Sequence, residues 1–585
     1  MKTPPTTDNL DPVEVLGERF RAAIASAYGD RLGDGPIDPL ITQSRNPKFG
    51  DYQSNAAMSL AKRLGMKPRE IASEIVARLD LDDIAEPVTE DSIAGPGFIN
   101  VRLKPEALAA LLDAIDRPGL GIVQPEHETI VVDVCGVNLA KQMHVGHLRA
   151  TVIGDAIART LEKLGHTVIR QNHVGDWGLP IAMVVDRLQR EVAQGRLSMD
   201  DVTLDDLDRL YKAAKLESSA DGRGLEAVRR FNLGPKAEAE LEEQVAGANE
   251  ALARAKETLI KLQSGDAETV AVWQKLYDVT MGACLHTCRR LHANITEEAT
   301  AGESSFRDEL AGIVDLLIEQ GLAEEDAGAL IVRNEGLEPT IVRKSDGGFL
   351  YATTDLAGVR RRVQQLGADR VIYCVDARQA LHFKQVFATA KRAGLARKPG
   401  AEQDSTLEHA PFGMVLGDDG RPFKTRSGEN VKLSDLIDEA IERAERAVAE
   451  KSPNLQGDER RRVAEVIGVA ALKYVDLSSD RIKDYVFNFD RMLAFEGNTG
   501  PYLLYANVRI QSIFRKAQEL GLADGVVDAA FLIREPEEKA LALVLLRYPS
   551  TVAAVGRTLE PHRMCGYLNE LAVAFSRVFE HCPVL

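Results

Sequence analysis

The stretch from Thr129 to Asn172 does most to limit the folds open to this chain. It begins with TIVVDV, a short apolar and β-branched run of the kind that forms an interior parallel strand. The loop CGVNLAKQM follows, and then apolar residues at Leu148, Val152, Ala156, Leu161 and Leu164, spaced for one face of a helix. TVIRQN closes the stretch as a second strand. Strand, loop, helix and strand in this order make half of a doubly wound nucleotide-binding fold. The loop then lies at the carboxyl end of its first strand, where such sheets bind ligands.

The rest of the chain divides around this unit. At 585 residues it is long enough for about three to five domains. Up to about residue 120 the pattern is α+β: helices through DPVEVLGERFRAAIASAYG, SNAAMSLAKRLG and PREIASEIVARL, then strand-like FINVRL. IDRPGLGIVQPEHE reads as a linker. From about 195 to 290 the sequence is helical and charged, a solvated insertion. The sheet is expected to resume at ALIVRN, TIVRKSDGGFLYAT and RVIYCVD, and beyond Leu433 the pattern is almost wholly helical. The expected architecture is multidomain α/β: a Rossmann-type parallel-sheet domain with a helical insertion, an N-terminal α+β domain and a C-terminal all-α domain.

KQMHVGHLRA sets His144 and His147 at i and i+3 at the start of that first helix. A metal would need a third ligand, and no carboxylate lies between the two. Free N–H groups and the helix dipole favour an anion there, and Gly146 removes a side chain so that a base or phosphate can come close. Phosphate binding is the better physical answer. GRPFKTRSG extends Lys424 and Arg426 from a loop of glycines and hydroxyls, a second phosphate-handling candidate. CLHTCRRLH brings together Cys284, His286, Cys288 and His292 but lacks a CxxC pair, so buried helix cysteines are the better reading and no residue is assigned to a metal. Six scattered cysteines suit reduced thiols. The net charge of -17 argues against indiscriminate nucleic-acid binding, although Gly500 to Leu585 holds nine acidic and nine basic residues. No apolar run approaches the ~18 residues that span a bilayer, and the start has no leader pattern. A cytoplasmic protein without membrane or DNA partners is expected.

HVGH and FKTRS together resemble the HIGH and KMSKS signatures of class I aminoacyl-tRNA synthetases. NLAKQMHVGHLRATVIGDAIARTLEKLGHTVIRQNHVGDWG, GGFLYATTDLAGVRRR, VIYCVDARQALHFKQVF, FGMVLGDDGRPFKTRSGENVKLSDLIDEA and FEGNTGPYLLYANVRI resemble the arginyl-tRNA synthetase family in order and spacing. NPKFGDYQSNAAMSLAK and GPGFINVRL resemble that family's additional N-terminal domain, so nearly the whole chain is covered. The resemblance implies activation of L-arginine by ATP to an arginyl-adenylate, then transfer to the 3′-terminal adenosine of tRNA(Arg). It implies Mg²⁺ bound mainly through ATP, and a monomer. Its domains would be 1–120, an additional tRNA-contacting domain; 121–435, catalytic; 436–495, stem-contact helices; and 496–585, anticodon-binding helices. Further helices usually follow in the family, so either the last domain is cut short or its remaining residues lie beyond this sequence; if the chain stops at Leu585, reduced tRNA affinity is expected.

The same resemblance implies roles residue by residue. Lys141, His144, Gly146, His147, His382, Lys424 and Arg426 would handle ATP. Asp133, Asn138, Tyr351, Asp355 and Gln379 would bind arginine, with Asp133 and Asp355 facing the guanidinium, a planar cation with five donors. Tyr502, Tyr505 and Arg509 fall on one helix face and, with Phe579, would stack on anticodon bases. Arg426 stands where KMSKS has its second lysine, and Lys141 is expected to supply the missing point charge. Val137 stands where the family often has proline, and GDWGLPIAMV departs from the usual TQFG continuation. Two other readings are a class I synthetase of different amino-acid specificity and a tRNA-binding paralogue without catalysis.

Overall fold

The computed structural model describes residues 10–33, 37–44, 46–424, 431–522 and 530–583. They divide into two compact units, one over 127–162 and 166–493, the other joining the first 126 residues, 163–165 and 494–585.

The larger unit is built on five parallel strands in the order Thr406–His409, Arg370–Tyr373, Thr129–Val134, Thr167–Val174, Thr300–Gly302. Counted along the chain, this is the doubly wound order 3-2-1-4-5. TIVVDV is the central strand, buried over its last five residues, as its unbroken apolar run requires. Strand order reverses between it and Arg370–Tyr373, and ligands bind outside the carboxyl ends of strands at such a point. The helix Val145–Lys163 packs tightly against the central strand. A Cβ on Gly154 would sit 2.6 Å from Val134 Cγ1.

The charged region about 195–290 contains four helices, Leu204–Glu217, Gly222–Phe231, Pro235–Ser264 and Ala267–Arg290. Two strand expectations need correction. ALIVRN and TIVR do form strands, but in a separate antiparallel sheet with Ala323–Asp326, not in the parallel one. YAT is not strand: Tyr351 begins the helix Tyr351–Arg360, whose side chains pack from Ala352 and Leu356 into the core. Local β propensity of Tyr and Thr loses there to tertiary burial.

Arg149, in the helix that follows the histidines, is fully buried. Its Nε donates to Asp476 Oδ1 at 3.0 Å, and its Nη1 donates to the carbonyls of Gly413 (2.7 Å) and Lys483 (3.2 Å). The histidine helix is thereby tied to the helix Gly457–Leu477 and to the strand pair Val415–Leu416 and Tyr485–Val486. Arg149→Met leaves a buried carboxylate unpaired and is expected to lower unfolding free energy by about 3–5 kcal/mol in urea denaturation. Adding Asp476→Leu should recover most of that loss, because an apolar pair removes both charges together.

The smaller unit begins with the helix Pro12–Leu32, where the Asp11 carboxylate accepts the Val13 N–H at 2.8 Å, and holds a four-stranded antiparallel sheet. Its core includes Ala542, Leu543 and Leu546 from the C-terminal helices. Lys539 Nζ pairs with Asp51 at 2.7 Å, and Ser550 donates to Asp11. The two ends of the chain thus share one core, where the sequence suggested separate domains. Pro536–Thr558 is apolar enough to cross a membrane by length and composition, but it is two helices, Pro536–Leu545 and Tyr548–Thr558, partly buried in that core.

Candidate active site

The loop after the central strand delivers both histidines to the helix start. The Gly146 N–H donates to His144 Nδ1, and the His144 N–H donates to His147 Nδ1, each at 3.0 Å. A backbone N–H can only donate, so both Nδ1 atoms are bare and both rings carry their proton on Nε2. The rings lie 4.1 Å apart. Burial first, then His147, Lys141 and Arg378, hold His144 down at about 3, and burial also lowers His147. Two neutral imidazoles therefore each present one fixed Nε2–H donor. Gly146 is required: a Cβ there would lie 2.8 Å from His144 Cε1.

The second phosphate candidate returns to the same place. Val415 to Phe423 forms a tight hairpin, with Phe423 N–H donating to the Val415 carbonyl at 3.0 Å, and exposed Lys424 leaves from it. Arg426 lies outside the described residues. When the described chain resumes, Lys432 bridges to His144, and Leu433 N–H donates to the Met143 carbonyl at 2.8 Å. The segment after the FKTRS loop is thus bonded directly to the histidine turn. Lys141 Nζ stands 4.2 Å from the centroid of the Tyr211 ring and is close enough to depress both histidines.

Asp133 has a partner that the sequence did not suggest. Its Oδ2 accepts from Arg362 Nη2 at 2.8 Å, and that guanidinium also donates to Gln171 and lies over Tyr373. One of its two oxygens is thus already engaged by a buried arginine of the protein itself.

A second acidic residue beside Asp355 is Glu303, which sequence reasoning missed. It follows the strand Thr300–Gly302 at the carboxyl edge of the sheet. Among the described residues it has no hydrogen-bond partner, and burial, then the charges of Asp176 and Asp355, push its carboxyl up to about 8. Asp176, in GDWG, fixes the turn by accepting the Ser304 N–H (2.8 Å) and Oγ–H (2.6 Å). Asp355 pairs through Oδ2 with His382 Nε2 at 2.5 Å, so that histidine joins the carboxylates rather than standing apart from them. Glu303 also helps to raise the phenol of Tyr351, after burial. Asn138 lies against Gly175, where a Cβ would sit 2.2 Å from its Oδ1, and Gln379 is exposed at the end of the turn Ala377–Gln379. Glu303, Asp355, His382 and Tyr351 thus form one group of interacting polar side chains.

In the other unit, Tyr505, Arg509 and Phe579 come together. Arg509 Nη2 donates to Tyr505 Oη at 2.6 Å, and its guanidinium stands 4.4 and 5.1 Å from the ring centroids of Tyr505 and Phe579. Both aromatics are exposed, at 45% and 42%. Tyr502 differs: it is half-buried, with its hydroxyl 3.4 Å from Ser576.

Three family models match the chain: the catalytic domain of class I tRNA synthetases (R) over residues 110–489, the arginyl-tRNA synthetase N-terminal domain over 14–103, and the DALR anticodon-binding domain over 503–585. Arginine–tRNA ligases of Edwardsiella ictaluri and Klebsiella pneumoniae are 43% and 44% identical to it over 581 residues, 98% of this chain and 93% of each relative. The crystal structure of an arginyl-tRNA synthetase from Plasmodium falciparum matches with a TM-score of 0.77 at 26% identity, covering 98% of this chain and 93% of that one. That of Thermus thermophilus shares the fold at a TM-score of 0.70 and 24% identity, covering 98% of this chain and 92% of that one.

Proposed function

The chain belongs to the arginyl-tRNA synthetases, and from that membership we propose how its own residues divide the work. The reaction is arginine–tRNA ligation with ATP. The arginine carboxylate oxygen attacks the α-phosphorus, the α–β bond breaks, and pyrophosphate leaves. The ribose hydroxyl of the tRNA terminus then displaces AMP from the carbonyl. No side chain acts as nucleophile.

Charge that builds on the α-phosphate meets the Nε2–H groups of His144 and His147. Losing one such preorganised donor typically costs about 10²- to 10³-fold in rate. Lys424 and Arg426 close over the β- and γ-phosphates. Mg²⁺ brought in with ATP would neutralise charge on the leaving pyrophosphate. Lys141 adds a point charge beside the histidines. Lys141→Ala should slow pyrophosphate exchange on the order of tenfold or more; a change within a few-fold removes it from that role.

Arginine is chosen by Glu303 and Asp355, with Tyr351 and Gln379 along the side chain and Asn138 at the amino acid backbone. The observation that carries this reading is the unpartnered Glu303 beside Asp355. His382 orients Asp355 through its hydrogen bond. Recognition of a polar side chain by paired carboxylates explains how one site can suffice without editing. ATP–pyrophosphate exchange with each amino acid, with and without tRNA, tests the proposal: arginine alone should support exchange. Exchange with several amino acids, or with none, contradicts it.

Tyr505, Arg509 and Phe579 form the anticodon-stacking surface, with Tyr502 supporting it from the helix interface. Arg509→Ala with Phe579→Ala should raise the KM for tRNA about 5- to 150-fold, from the ~1–3 kcal/mol of a stacked base, and leave the KM for arginine unchanged. Aminoacylation kinetics at varied tRNA concentration measure this. The enzyme works in the cytoplasm as a monomer.

A further inference from the structure

Three thiols meet beneath the histidine turn. Cys135 directly follows the central strand, and Cys284 and Cys288 stand one turn apart on the insertion helix Ala267–Arg290. Their exposures are 2%, 1% and 0%. All three sulfurs lie within 4.8 Å of one another, and Cys135 Sγ is 3.8 Å from Cys284 Sγ. Two sulfurs bound to one zinc ion at 2.3 Å and tetrahedral angles stand about 3.8 Å apart. His286 and His292, their neighbours in sequence, are exposed and take no part.

Two further observations separate this cluster from ordinary packing of small side chains. Cys135 holds φ at +69°, in the left-handed region, where a non-glycine residue costs roughly 1–3 kcal/mol. The fold keeps that strain while its thiol meets two others. Beside it lies the fully buried Thr151 hydroxyl, close enough to donate to the Cys135 sulfur and with its oxygen lone pairs still free to accept. The other charged or titratable groups that bear on the three thiols are His147, near Cys135, and Asp155, near Cys288.

We infer that Cys135, Cys284 and Cys288 form a binding site for one thiophilic d¹⁰ metal ion of the zinc(II) type, held by three thiolates. The fourth position falls to a water molecule, for which the Thr151 hydroxyl is an acceptor. Each coordinating thiol gives up its proton to solvent, so loading releases up to three protons per ion. The bound ion ties the loop that carries Asn138 and His144 to the insertion helix. Nothing in the ligation reaction consumes it, and the site stands whether or not the arginine pocket is assigned correctly.

The test uses the full chain stripped with a chelator and titrated with cadmium(II), following the ultraviolet thiolate-to-cadmium absorption, with zinc(II) as competitor. One ion per chain is expected, displaced by zinc, with Tm rising as zinc is added. Cys284→Ala and Cys288→Ala should each abolish the absorption, while Cys565→Ala should keep it. No absorption at stoichiometric cadmium, or a band that survives in both variants, overturns the proposal. Should those variants fail to fold, X-ray absorption at the zinc edge of the loaded wild-type chain decides. Three sulfur neighbours support the site, and a nitrogen and oxygen shell overturns it.

Discussion

Glu303→Gln is expected to raise the KM for arginine about 30-fold to several thousand-fold, the scale of ~2–5 kcal/mol for losing one partner of a buried charge pair. The amide keeps the shape and loses the charge, so kcat at saturating arginine should change much less. A second signature belongs to the titration. Before substrate enters, burial and the charges of Asp176 and Asp355 hold the Glu303 carboxyl up at about 8. Only the carboxylate pairs with a guanidinium, so arginine binding expels a proton below that pH. Affinity should rise with pH by up to about tenfold per unit and level off above about 8. Glu303→Gln should flatten the profile. The same group bears on stability with the sign of a raised carboxyl. Its contribution is fully present below the ordinary value of 4.5 and is lost as pH climbs through about 8. The glutamine variant should lose that slope in thermal unfolding of the substrate-free enzyme.

The second large effect belongs to a residue with no side chain. In Gly146→Ala the new Cβ would stand 2.8 Å from His144 Cε1 and 3.0 Å from Nδ1, so the ring must move. Moving it breaks the Gly146 N–H to Nδ1 bond that fixes the tautomer, and the Nε2–H donor loses its aim. A loss of about 10²- to 10³-fold in the rate of adenylate formation is expected, with the KM for arginine little changed. Single-turnover pyrophosphate exchange separates the two quantities. A rate within a few-fold of wild type would show that His144 tolerates the shift.

The parts of the fold that sequence could show are those whose cause is local. TIVVDV reads as a central strand because a strand covered on both faces is apolar throughout. The histidine helix reads from its spacing, and Gly146 from its place at the helix start. What the sequence could not show are partnerships across long separations. Asp133 looks like a substrate carboxylate, and nothing local shows that Arg362, 229 positions later, engages one of its oxygens. Cys284 and Cys288 look like a broken zinc motif because their third partner, Cys135, precedes Cys284 by 149 positions. Glu303 follows a strand of three residues, too short for any periodicity to register. The signal that could have found it is topological: it sits in the loop after a parallel strand, on the edge where such sheets bind ligands. YATTD was misleading for a different reason, since its residue types favour strands while the packing of Leu356 and Ala357 demands a helix.

The central claim is that two carboxylates read the charge of the substrate side chain, not its length or shape. Citrulline is nearly isosteric with arginine and neutral. ATP–pyrophosphate exchange with arginine against citrulline, at matched concentrations with tRNA present, therefore isolates the charge. The account predicts a preference for arginine of ~10⁴-fold or more in kcat/KM, shrinking sharply in Glu303→Gln. Wild-type exchange with citrulline within about tenfold of arginine would contradict it.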